Sequence, residues 1–184
     1  MENKFRESVI STALKRNLNL KLSSLKKFMF LVVSVCIMVF LVDFSISSAA
    51  EKSYVIDEAG LISASDEKKL SEKIKEIQKE KFDVVILTVK SLDGKSAQDY
   101  ADDYYDYNGY GYGKDDDGIL LLISMEDRDY AITTYGFGIT AFTDAGLQYV
   151  VNDFKPALSG GRYGDAFNDF ADCCDKFLTQ AHTG

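Results

Sequence analysis

DDDGILLLISMEDRDYAITTYGFGITAFTD, residues 115–144, carries the reading of the fold. Three carboxylates, Asp115, Asp116 and Asp117, lead through Gly118 into an apolar run, residues 119–123, that reads as a buried strand. A four-residue turn, residues 124–127, sends the chain back along residues 128–135. A tight hairpin sets residues near 117 opposite residues near 134. The glycine-spaced corner Gly136-Phe137-Gly138 follows, then a helix start at Thr143-Asp144. The reversal brings the aspartate run, the corner and Asp144 toward one edge of one sheet. Several carboxylates gathered in a site without histidine point to a hard divalent cation with oxygen ligands.

Upstream, Tyr54-Val55-Ile56 is a short extended segment ending at Asp57. Ser63 signals a helix start, with Asp66 and Glu67 where the dipole favours them, and Leu70, Ile74 and Ile77 recur at helical spacing. Residues 82–89 (FDVVILTV) read as a buried strand. Ser96 and Asp99 open the next helix, whose inner face is expected to carry Ala97, Tyr100, Ala101, Tyr104 and Tyr107. The glycine-bearing segment 108–117 is expected to be a flexible connection with Tyr110 and Tyr112 exposed. A helix is predicted over 143–154 with Pro156 just beyond it, residues 159–161 as a flexible link, and a last helix over 165–179. Its inner side is expected to be Phe167, Phe170, Cys174, Phe177 and Leu178. The order strand, helix, strand, helix, strand, strand, helix, helix describes an α/β domain. Strands 82–89 and 118–123 run parallel through a right-handed crossover, and the return strand is antiparallel, so the sheet is mixed.

Residues 1–50 stand apart from the body, residues 51–184. An uncharged apolar run, residues 28–42, follows Lys21, Lys26 and Lys27 and precedes Ser48-Ala49-Ala50, the small residues a signal peptidase needs. Fifteen helical residues span about 22 Å, short of the roughly 30 Å hydrocarbon core, which favours a cleaved signal peptide. The alternative is a signal anchor, tethering the protein through residues 28–46. Either exports the body, to the cell envelope or the extracellular space. The body carries 14 basic and 26 acidic residues. That balance repels nucleic acid and favours cations or basic partners.

Other patterns carry less. Adjacent carboxylates about 6 Å apart repel by roughly 0.7 kcal/mol in water, which a bound cation relieves; the bland reading of residues 115–117 is a solvated turn. The loop fails as an EF-hand, since Gly113 and Ser124 would occupy its first and last positions. Gly136-Phe137-Gly138-Ile139-Thr140-Ala141 matches a dinucleotide fingerprint but follows the return arm of a hairpin. Residues 109–114 (GYGYGK) fail as a phosphate loop, with Asp115 where Ser or Thr is needed. Arg128 reads as a local ion-pair residue. His182 stands alone, so no histidine-based triad can be assembled, and any hydrolysis would depend on metal-assisted water. The adjacent Cys173 and Cys174 imply no disulfide; one should face inward and the other the helix flank.

The body resembles the TPM domain family, named for a thylakoid lumen protein, a photosystem II accessory protein and a nematode receptor-associated protein. The resemblance rests on VIDEAGLIS (55–63), DDGILLL (116–122), Arg128, YGFG (135–138), FTDA (142–145) and Pro156. It implies a three-layer α/β/α sandwich with a mixed, mostly parallel sheet of about four strands in an exported or lumenal setting. It also implies a divalent-cation site mapping to Asp116, Asp117, Asp144 and Asp57. Plant relatives are described as acid phosphatases; others are accessory factors for membrane-protein assembly, repair or receptor function. The family commonly has a glutamate two residues after the second corner glycine, where this chain has Thr140.

The expectation is therefore an extracytoplasmic, non-catalytic accessory domain that binds Ca²⁺, or Mg²⁺ or Mn²⁺, and acts on membrane-associated or envelope proteins. A metal-dependent acid phosphatase is the alternative.

Overall fold

Asp83–Val89 is a strand buried at every residue, and the rest of the body is layered around it. The computed structural model describes residue 29 and residues 52–183. Lys52–Gly184 forms a unit of its own, separate from Met1–Glu51. The signal or anchor expected over residues 28–46 lies outside the described residues, Met29 aside. No helix among the described residues is long and apolar enough to cross a membrane.

In chain order the elements are β1 (Val55–Asp57), α1 (Ala64–Ile77), a 3-10 turn (Gln78–Glu80), β2 (Asp83–Val89), α2 (Ala97–Tyr107) and a second 3-10 turn (Gly113–Asp115). β3 (Gly118–Ser124), β4 (Asp129–Tyr135), α3 (Phe137–Ala141), α4 (Asp144–Ser159) and α5 (Tyr163–Thr183) follow. The sheet order is β1-β2-β3-β4. β1 and β3 flank β2 in parallel, with Asp57 opposite Thr88 and Asp83 opposite Gly118. β4 returns antiparallel to β3, from Ser124↔Asp129 to Gly118↔Tyr135.

Because side chains alternate along a strand, the sheet feeds two cores. Val84, Ile86, Ile119 and Leu121 join the α1, α4 and α5 side, where Phe154, Phe167 and Phe170 are fully buried. Val85, Leu87, Leu120 and Leu122 face α2. The result is the three-layer α/β/α sandwich with its mixed sheet. The helix starts expected at Ser63, Ser96 and Thr143 are all capped, each side-chain oxygen accepting an N–H three residues on.

Several local expectations are corrected. The hairpin turn lies one residue later, and Arg128 sits in it at φ 52° instead of opening the strand. Pro156 lies inside α4, which continues to Ser159. Proline removes one helical N–H near the end, while burial of Phe154 and Ala157 keeps the last turn in place. Gly160 and Gly161 form a hydrogen-bonded helix end. Arg162 N–H donates to the Ala157 carbonyl, Gly161 N–H donates to that of Leu158, and Gly161 adopts φ 71°. The inner residues of α2 are Ala97, Ala101 and Tyr105, whereas Tyr107 is 84% exposed. Cys173 and Cys174 are both buried.

Candidate functional site

The aspartate run closes on itself. Tyr112 N–H donates to the Asp117 carbonyl and Asp117 N–H donates to that of Tyr112, both at 3.0 Å. Residues 113–116 are thereby held as a tight loop, with Asp116 in the left-handed region at φ 53°. Aspartate tolerates that conformation better than most residues. Gly111, at φ 107°, lies against the loop: a Cβ there would meet the Asp116 backbone at 2.5 Å.

Two side chains brace the loop, Asp83 and Tyr105, and a third, Tyr110, anchors the segment before it to the start of β1. Asp83 is 4% exposed and spends both oxygens, accepting from Gln78 Nε2 at 3.2 Å and from Gly111 N–H at 2.9 Å. Its own N–H donates to the Asp117 carbonyl at 3.1 Å. Tyr105 donates its hydroxyl to the Asp116 carbonyl at 3.0 Å. Tyr110, folded inward by the glycine that ends α2, donates to the Ser53 carbonyl at 2.8 Å. Burial, followed by the charge of Asp83, pushes the Tyr105 hydroxyl far above its ordinary value. Burial first, and then the neighbouring Tyr104, does the same for Tyr110. The expected exposure of Tyr110 is thus wrong, since it is 6% exposed; Tyr112 is exposed as expected.

The glycine corner meets this loop. Asp117 Oδ1 accepts the N–H of Phe137 at 2.6 Å. Gly136 has φ 54°, and the point where its Cβ would stand is crowded by Asp117 Oδ1 and the Asp115 carbonyl oxygen. Two hard oxygens therefore converge beside a residue that lacks a side chain. Carboxylate and carbonyl oxygens are the donor types that a calcium-like ion takes, and here Asp117 Oδ1 is already engaged by the Phe137 N–H. The carboxylates of Asp115 and Asp116 are exposed beside it.

The remaining candidate residues stand elsewhere. Asp57 ends β1 level with Thr88, whereas Asp117 adjoins Asp83, at the other end of the same strand. The separation along β2 is about 16 Å, too far for one ion. Asp57 accepts the N–H groups of Leu61 and Ile62, each at 3.0 Å, and the Thr88 hydroxyl. Burial opposes its charge, but these bonds outweigh it and hold the carboxyl below its usual range. It organises the approach to α1. Asp144, in the first turn of α4, lines a groove with Asp129, Tyr130, Ala131 and Ile132 of β4. Among the described residues, no three His, Cys, Asp or Glu side chains converge as a metal-binding group.

A family model described as the TPM domain matches residues 55–176. The chain belongs to the TPM domain family. UPF0603 protein YdjH of Bacillus subtilis (strain 168) is 30% identical over 146 residues, covering 78% of this chain and 56% of that protein. This TPM chain thus spans about half the length of the curated relative it matches. The N-terminal domain of the cg2496 protein from Corynebacterium glutamicum has a TM-score of 0.56 at 22% identity, covering 72% of this chain and 84% of that one. An N-terminal domain from P. gingivalis gives 0.58 at 22% identity, with 71% and 84% covered. The BA42 protein of the psychrophile Bizionia argentinensis gives 0.57 at 18%, with 73% and 87% covered. At these identities the likeness concerns the TPM fold.

Sequence reading missed Asp83, Tyr105 and Tyr110. The signal for Asp83 was present: one carboxylate in an otherwise apolar buried strand needs partners, and those partners are the loop. Thr140, at the position of the family's usual glutamate, is exposed on α3.

Proposed function

We propose that this TPM domain is an extracytoplasmic, non-catalytic accessory module that takes up a divalent cation, Ca²⁺ before Mg²⁺ or Mn²⁺, beside the membrane. The observation that carries the reading is the packing of Asp117 Oδ1 and the Asp115 carbonyl oxygen against Gly136, next to the exposed side chains of Asp115 and Asp116. Asp116 and Asp117 would supply the carboxylates and Asp115 its carbonyl, with water completing the shell. When bound, the ion would neutralise the aspartate run and tie the loop to the corner. Asp57, at the other end of the sheet, and Asp144, which opens onto the β4 groove, are not assigned to this ion. Export is supported by the basic and apolar order of residues 21–50, and a role on envelope proteins by the family resemblance. Thr140 in place of glutamate favours binding over turnover.

Thermal melting of the full chain in chelator and in millimolar Ca²⁺ tests the proposal. A native-state ligand at 100 times its dissociation constant adds about 2.7 kcal/mol. Asp117→Asn should remove the shift, while Asp144→Asn and Asp57→Asn should preserve it. An unchanged melting curve for the parent protein overturns cation binding. Metal-dependent phosphomonoester hydrolysis abolished by Asp117→Asn overturns the non-catalytic reading.

A further inference from the structure

We infer that the outer edge of β4 is a docking site for an extended basic segment of a partner protein, which adds to the sheet as a further strand. β4 is last in the sheet order, so among the described residues one of its two sides has no strand beside it. The direction of its backbone groups follows from one bond. Tyr130 N–H turns away from β3 and donates to Asp129 Oδ1 at 2.9 Å. Backbone groups alternate in an antiparallel pair, so Ile132 and Thr134 also aim N–H and C=O outward. Ala131 and Thr133 aim theirs inward, opposite Leu122 and Leu120.

Beyond Asp129, the edge strand itself lacks the usual protections. Sheet edges are ordinarily blunted by charge, proline, bulges or very short strands. Residues 130–135 (YAITTY) contain no charge and no proline, and the register with β3 runs without a bulge. The opposite edge, β1, has only three residues. The first half of β4, Asp129 to Ile132, also lines a groove of about 460 Å³, walled by Leu147 and Val151 of α4 and by Gln98 of α2. A bare edge with flanking walls is the arrangement in which main-chain bonds give affinity and pockets select side chains.

Charge selects the occupant. Asp129 and Asp144 lie in the groove, and the charges of Asp102 and Asp106 bear on Tyr135 at its far end. The opposing cations are Lys155, 5.6 Å above the Tyr130 ring, and Arg128 in the turn. Carboxylates thus prevail along the edge. A second copy of the chain would bring the same carboxylates against them. A segment with Lys or Arg on alternate residues meets the acidic rim while its backbone pairs with Ile132 and Thr134.

The test is amide hydrogen exchange on the full chain, in chelator so that the outcome is independent of the cation site. The probe is a synthetic peptide alternating Lys with Thr. At ten times the dissociation constant, exchange at Ile132 and Thr134 should slow about tenfold, with Ala131 and Thr133 unchanged. The same peptide N-methylated at alternate residues should give no slowing, and nor should a Glu-Thr counterpart. Thr134→Pro, which removes an outward N–H and no bond to β3, should weaken binding while the β3–β4 amides stay protected. Equal binding of the N-methylated peptide reduces the effect to charge attraction and overturns strand addition. Slowing at Ile132 and Thr134 without peptide, rising with protein concentration, makes a second copy the occupant and overturns the basic partner. No slowing at millimolar peptide overturns the site.

Discussion

The rings of Tyr105 and Tyr135 stack face to face, their centroids 4.3 Å apart and their planes 1° from parallel. The pair joins α2 to the last residue of β4 directly below the aspartate loop, and Tyr105 also holds that loop through the Asp116 carbonyl. Tyr105→Phe keeps the stack but leaves the carbonyl without its donor. A loss of about 1–2 kcal/mol is expected in urea unfolding. Tyr105→Ala, which also empties a buried ring site, should cost about 3–5 kcal/mol. Equal losses for the two would show that the hydroxyl carries the whole effect.

Alkaline stability should report the same residues. Tyr105 and Tyr110 hold their protons more tightly when folded than when unfolded. Their contribution is therefore complete below the unfolded tyrosine value, about pH 10, and declines above it as the unfolded chain loses protons that the folded chain retains. Urea midpoints above about pH 10 should fall, and less steeply in Tyr105→Phe/Tyr110→Phe. Tyrosinate absorbance should show these two rings ionising only on unfolding.

Asp57 behaves in the opposite sense. Its carboxyl is held below the usual range, so its contribution is present above the unfolded aspartate value and lost as pH falls through the folded one. Asp57→Asn should cost about 2 kcal/mol near neutrality and progressively less in acid. Unchanged acid sensitivity in the variant would contradict this assignment.

Gly136→Ala should be among the more damaging single-methyl additions. Its φ of 54° is strained for alanine, and the new Cβ would strike Asp117 Oδ1 and the Asp115 carbonyl. A loss of about 2–3 kcal/mol is expected in chemical denaturation. Gly94→Ala meets no atom within 4 Å and isolates the backbone contribution.

Both body cysteines should be inert in the folded protein. Burial, followed by the hydrogen bond to Asp153, pushes the Cys173 thiol up to about 12, and burial raises Cys174 well above its ordinary value. In a Cys36→Ser background, labelling by a thiol reagent at about pH 8 should proceed only with unfolding. Rapid stoichiometric labelling of the native chain would refute it.

The layers, strand order and helix starts were legible because each has a local cause. Valine and isoleucine fill β2, apolar residues recur at helical spacing in α1, and Ser63, Ser96 and Thr143 are capping residues. The interior of α2 was not, because its tyrosines offer two faces of similar hydropathy. Selection of Tyr105 over Tyr107 depends on Tyr135, thirty residues away in the chain. The aspartate loop was recognised as a feature, but its foundation was not. Asp83 and Gly111 are brought together only by folding, and their bond leaves no spacing to read. The bonds of Asp57 to Leu61, Ile62 and Thr88 were hidden for a related reason: a strand-end carboxylate that orders the next backbone turn looks the same in sequence as a ligand.

The two faces of the sheet are unequally covered. Among the described residues, four helices (α1, α3, α4 and α5) insulate one side, while α2 alone closes the other and leads straight into the segment carrying Tyr110 and the aspartate loop. The lightly clad side is where partial opening is cheapest, since detaching α2 disturbs one interface instead of several. Because Tyr105 belongs to that helix, any breathing of the thin layer slackens the aspartate loop at the same moment. The order of the acidic rim is thus only as durable as the weaker half of the sandwich.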